Sequence, residues 1–218
     1  MMKSLYVVTA ALSLVVASSG VASAAESGWV IRFHGAFVDS SASYEQVIPG
    51  EGLFEGEAGS GLGIDLAGEY RFDNVVGIEG SLLWASIDAD FSLDDGIDRF
   101  TDSDDLRMGA LGLALNLHLT SGHRVDVWVA PGVNWIDFSN MHIEHPDLGP
   151  EVLTTGSDFA PSVALGVDIP FGERGWAFST GLQYMWAESK ETDNPPGVPP
   201  IRVDVDPLFV QIGLAYRF

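Results

Sequence analysis

Pro207-Leu208-Phe209-Val210-Gln211-Ile212-Gly213-Leu214-Ala215-Tyr216-Arg217-Phe218 ends the chain, and its reading decides the fold. Leu208, Val210, Ile212, Leu214, Tyr216 and Phe218 are bulky and apolar, whereas Gln211, Gly213, Ala215 and Arg217 are small or polar. Successive side chains of a strand point to opposite faces, so this run is a strand with one greasy face and one small or polar face. Seven earlier segments keep the same period, at about 28–38, 61–72, 75–87, 110–119, 125–135, 159–171 and 176–186. Their connections alternate between short (Asp73-Asn74, 120–123, 172–175) and long (up to residue 60, 88–105, 139–158, 187–206). Eight strands with short turns at one end and long loops at the other predict an all-β fold, an eight-stranded antiparallel up-and-down transmembrane β-barrel.

A soluble eight-stranded barrel with the greasy face inward is the competing architecture. About forty large apolar side chains do not fit a lumen barely wide enough for side chains. The other face, mostly Gly, Ala and Ser, suits a crowded interior. Trp29, Tyr70, Phe72, Trp176, Phe178, Tyr216 and Phe218 collect at one end and Phe37, Trp84, Trp135, Phe159 and Trp186 at the other, as two interfacial girdles.

Lys3 precedes an apolar run from Leu5 to Val21, and Ala22-Ser23-Ala24 offers small residues for cleavage. The expected organisation is a signal peptide over 1–25, cut after Ala24 or Ala25, followed by the barrel over 26–218. The destination is the bacterial outer membrane. The chain has no cysteine, so no disulfide framework exists. Its 31 acidic residues against 10 basic ones give a net charge of −21, which repels nucleic acid.

Inward positions differ with height. Arg32, Glu69, Arg71, Glu79, His118, Asp126, Asp168 and Arg217 all fall in the periplasmic half, where Arg32 and Arg217 can pair with the acids as a charged plug. Ala36, Val38, Leu83, Ala110, Ala130, Ala160 and Met185 make the outer half a small, mainly apolar vestibule. Pro131 and Pro161 face lipid in the outer halves of the fifth and sixth strands, with Gly132 beside one. Proline cannot donate a ladder bond, so these three residues predict a weakened lateral seam between those two strands.

The loops hold most of the acids. Asp94, Asp95, Asp98, Asp102, Asp104 and Asp105 are the densest set, and carboxylates are hard ligands for Ca²⁺ or Mg²⁺. Their spacing matches no EF-hand, so the reading is a solvated acidic surface holding Ca²⁺ or Mg²⁺ loosely against lipopolysaccharide. His142, Glu144, His145 and Asp147 are a second, weaker metal candidate. No cofactor is expected. An enzyme of the lipid-modifying kind needs a nucleophile and base facing lipid at the outer rim, and no Ser-His pair falls there, so no catalytic residue is assigned.

The terminal Tyr216-Arg217-Phe218 resembles the ending of bacterial outer-membrane barrels. Residues 63–87, the run Val127-Trp128-Val129-Ala130-Pro131-Gly132-Val133-Asn134-Trp135 and the stretch 201–218 resemble the OmpW family; Asp73-Asn74-Val75-Val76-Gly77-Ile78-Glu79 resembles its first periplasmic turn and third strand. The resemblance implies a small barrel with a hydrophobic bore that passes small hydrophobic molecules, with lateral exit into the membrane. The alternative is a structural or surface-interaction barrel that displays acidic, cation-binding loops.

Overall fold

The structure is a computed structural model that describes residues 27–40, 42–48, 52–94, 99–120, 125–139, 141–145, 149–153, 156–172, 175–190 and 202–218. The expected signal peptide, and Asp95, Asp98 and Asp147 among the metal candidates, lie outside the described residues. Eight long strands form the wall: β1 Gly28–Asp39, β2 Gly52–Arg71, β3 Val76–Asp94, β4 Arg99–His118, β5 Asp126–Phe138, β6 Asp158–Pro170, β7 Trp176–Met185 and β8 Leu208–Arg217. Each pairs antiparallel with its sequence neighbours, and β1 closes the ring against β8 (Val30↔Arg217 to Asp39↔Leu208). Closure leaves no free edge inside the hydrocarbon layer, the condition a sheet must meet to cross a membrane.

The period of two becomes a strict exposure pattern. Along β1 the inward Val30, Arg32, His34, Ala36 and Val38 are buried, while Trp29, Ile31, Phe33 and Phe37 stand exposed on the outside. Leu62, Leu113, Phe159 and Ile212 are each more than half exposed, which only lipid makes favourable. The periplasmic girdle interlocks edge to face, with Trp29–Tyr70 centroids at 5.2 Å and Trp176–Tyr216 at 4.8 Å. Short turns close that end. Asp73 Oδ1 accepts from the backbone N–H groups of Val75 (2.7 Å) and Val76 (2.8 Å). Gly172 and Gly175 adopt φ of 68° and 75°, the left-handed region that favours glycine.

The outer end departs from expectation. The stretch 88–105, read as a loop, is largely ladder: β3 and β4 stay paired from Asp88↔Asp105 up to Asp94↔Arg99. Likewise β2 begins at Gly52 rather than near residue 61. Past a register shift between Ala58 and Gly61, its upper part pairs with a short strand, Ser43–Ile48. Two further hairpins, Met141–His145 with Gly149–Leu153 and Glu188–Lys190 with Arg202–Asp204, stand in the other long connections. The acids alternate with Phe91, Leu93 and Phe100, so strand periodicity continues beyond the apolar band.

Candidate functional site

The bore is divided by chemistry. In its periplasmic half, Arg32 is fully buried and contacts three carboxylates, Glu69 at 2.8 Å, Glu79 at 2.7 Å and Asp168 at 2.9 Å. Its guanidinium also lies 4.9 Å from the centroid of Trp128, a cation–π placement. Arg71 pairs with Asp126 at 2.6 Å and Glu69 at 3.3 Å. His118 places Nε2 2.6 Å from Glu69 and Nδ1 3.0 Å from Asp126. Carboxylates accept only, so a doubly protonated ring is the form that satisfies both contacts. Asn116 Nδ2 donates to Glu79 at 3.0 Å.

The structure thus brings Arg32, Glu69, Arg71, Glu79, His118, Asp126 and Asp168 into one network drawn from six strands. Arg217 is not enclosed with them: it keeps the inward parity of β8 but is exposed at the periplasmic mouth. The reason is position, because it is the last paired residue of the last strand.

Sequence reasoning omitted a second branch of the network. His34 Nδ1 lies 3.0 Å from Asp65, His34 Nε2 lies 2.9 Å from Ser179 Oγ, and Ser179 Oγ donates to Asp168 at 2.6 Å. Asp65, His34 and Ser179 have the connectivity of a hydrolytic triad. Ser179, however, gives its one hydroxyl proton to Asp168 rather than to His34, and it is buried. The arrangement orders hydrogen bonds and prepares no nucleophile. Inward parity marked all three residues; only the relative stagger of β1, β2 and β7 shows that they meet.

The outer half is packed rather than open. Val38, Ile87, Met108, Ile136, Met185 and Phe209 are at most 2% exposed and form one apolar cluster with alanines between them. The expected vestibule is therefore filled by its own side chains. Between the halves lies a cavity of about 20 Å³ bordered by Arg32, Trp128, Ala114, Ala130, Gln183 and Gln211.

The wall corrects the expected seam. β5 and β6 pair without a break from Asp126↔Asp168 to Ile136↔Asp158, with Pro131 opposite Val163 and Pro161 opposite Val133. In an antiparallel ladder a residue's N–H and C=O point to the same neighbour. Pro161 accepts from Trp186 N–H at 3.0 Å, so its missing donor faces β7 and costs the β5–β6 ladder nothing. The missing donor of Pro131 faces β4. There the pairing runs from Met108↔Phe138 to Ala114↔Gly132, then resumes at Leu117↔Val129, skipping Leu115 and Asn116 where they oppose Pro131 and Ala130. The interruption is one strand away from the sequence-based placement.

Among the described residues no group of His, Asp or Glu is arranged to hold a metal. Asp94 and Asp102 to Asp105 are strung along the paired β3 and β4, and Asp102 and Asp104 share one face while Asp105 takes the other. The side chains of His142, Glu144 and His145 lie outside the described residues.

The barrel fold has known counterparts. The chain matches the outer membrane protein beta-barrel domain family over residues 8–218. It belongs to that family. Its fold is similar to the crystal structure of the outer membrane protein OprG from Pseudomonas aeruginosa (TM-score 0.66, 21% identity, covering 91% of this chain and 98% of that one). It is also similar to the solid-state NMR structure of the outer membrane protein AlkL in lipid bilayers (TM-score 0.58, 19% identity, 93% and 94% covered). No curated protein sequence matches the chain. At these identities the likeness is one of fold. The protein is a bacterial outer-membrane protein.

Proposed function

We propose that this barrel takes small hydrophobic molecules from the cell exterior and releases them sideways into the outer membrane. The observation that carries the reading is the apolar outer bore set directly above a closed ion-pair network, with the wall ladder interrupted beside their junction. Arg32 and its carboxylates fill the periplasmic half, so an axial route would have to separate buried charges, which costs several kcal/mol per ion. The apolar cluster makes no directional bonds, and its side chains can yield to an apolar guest. Ala114 and Ala130 border both the cavity over the plug and the stretch where β4 and β5 lose pairing. That stretch lies roughly 10 Å above Trp128, at about 3.3 Å per residue along β5. The OmpW resemblance supports the same substrate class.

The test is accumulation of a small apolar fluorescent probe by cells with an intact lipopolysaccharide barrier. Faster accumulation with the protein is expected, with most of the gain lost in Pro131→Val and retained in Pro161→Val. Equal accumulation with and without folded protein would overturn the reading. The surface-interaction alternative draws on the β3–β4 ladder that continues to Asp94↔Arg99 beyond the apolar band; it predicts instead that trimming this hairpin removes the phenotype while probe accumulation is unchanged.

A further inference from the structure

A groove of about 630 Å³ crosses the outward face of β2 to β5 at the outer rim, lined by Leu62, Ile64, Trp84, Ser86, Arg107 and Gly109 among others. The ladder explains its shape. Ile64 pairs with Trp84, and Trp84 with Gly109; one outward step higher, Leu62 pairs with Ser86, and Ser86 with Arg107. The surface therefore changes from apolar to polar within one pair of residues, the transition expected where acyl chains give way to headgroups. Gly109 has no side chain to fill the space between its neighbours. A Cβ there would meet nothing nearer than Trp84 Cδ1 at 3.9 Å.

Arg107 is exposed and is the one cation of the outer half among the described side chains. Arg32 and Arg71 are in the bore network, and Arg217 is at the periplasmic mouth. The neighbouring outward positions Asp88, Asp105 and Asp137 are carboxylates, yet among the described residues the Arg107 guanidinium has no hydrogen bond or ion pair; only its backbone is engaged, with Ser139. A free guanidinium above an apolar trough, with carboxylates at the neighbouring described positions, is a chemically specific combination. In the membrane this outward face meets lipid, and its apolar floor suits a lipid tail. The guanidinium selects the headgroup, since its fork of donors matches a phosphate.

We propose that this groove binds one phosphorylated acyl lipid of the outer leaflet, of the lipid A type. Its acyl chain lies against Leu62, Ile64, Trp84 and Gly109, and its phosphate sits on Arg107. The site is on the outside of the wall and is independent of passage through the bore.

The test is native mass spectrometry of the purified, detergent-solubilised barrel mixed with lipid A or with fully dephosphorylated lipid A. EDTA is present so that divalent ions cannot bridge phosphate to the carboxylates. One lipid A is expected to remain bound, at least tenfold more than the dephosphorylated form. Arg107→Gln should remove that preference and Arg107→Lys should restore part of it. Gly109→Leu should lower retention of both lipids by filling the trough. Asp137→Asn should raise lipid A retention, because that carboxylate also lines the groove and repels phosphate. Heat-modified gel migration, compared across variants, separates loss of the site from loss of the fold. Equal retention of the two lipids by the wild type, or undiminished preference in a folded Arg107→Gln barrel, would overturn the proposal.

Discussion

The two halves of the bore share strands and parity, yet they are built from opposite chemistry. Below, Arg32, Arg71 and His118 hold four carboxylates in a network of charged contacts with N···O distances between 2.6 and 3.3 Å. Above, Ile87, Met108, Ile136, Met185 and Phe209 meet through non-directional contacts. Directional charge pairs tolerate little displacement before a buried ion is left alone, whereas apolar contacts exchange partners at small cost. The difference is what the proposed route rests on: the upper half can rearrange around an apolar guest, and the lower half closes the axial path.

The largest effect that would sharpen this contrast is expected from Arg32→Leu. It leaves Glu69, Glu79 and Asp168 facing one another without their shared cation. Urea unfolding in lipid vesicles should show a loss of about 3–5 kcal/mol, accompanied by ion leakage through planar bilayers. A loss below roughly 1 kcal/mol, the scale of an exposed pair, would erase the distinction between the halves. In the upper half, Ile136→Ala should cost about 2–3 kcal/mol by the same assay, since Ile136 is almost wholly enclosed. A much smaller cost would show an open vestibule rather than a packed one.

At the boundary, Pro131→Val supplies the donor that β4 lacks, worth about 1 kcal/mol. Hydrogen exchange of β4 amides near Leu115 should slow, while Pro161→Val leaves them unchanged. The smallest effect lies outside the bore. The backbone N–H groups of Val75 and Val76 hold the Asp73 carboxyl below its ordinary range. A depressed carboxyl adds stability above its unfolded pKa and loses it as pH falls through the folded value. Asp73→Ala should therefore lower the urea midpoint slightly at pH 7, and the gap should vanish in acid.

Alternation alone made the barrel legible, because lipid outside and a narrow bore inside impose the same period on every strand. Alternation also marked the inward residues, including His34, Asp65 and Ser179, but not which of them meet. That depends on stagger between strands distant in sequence, which no local pattern encodes. The acidic stretch 88–105 hides a ladder because dense charge has the composition of a loop, although Phe91, Leu93 and Phe100 keep the strand period within it. The prolines were visible as breaks, but which neighbour loses a bond depends on the hydrogen-bonding phase of the sheet. Only the register shows that Pro131 faces β4 and Pro161 faces β7.

The chain has no cysteine, so one engineered pair can lock the interrupted wall. Asn116→Cys with Ala130→Cys would bridge β4 and β5 inside the stretch bounded by Ala114↔Gly132 and Leu117↔Val129 while keeping Pro131. Uptake of an apolar probe by cells carrying this variant, measured oxidised and then reduced, is the direct test of sideways release. The account predicts that oxidation brings uptake down to that of cells without the barrel and that reduction restores it. Equal uptake in both redox states, with the disulfide shown to have formed, would contradict it.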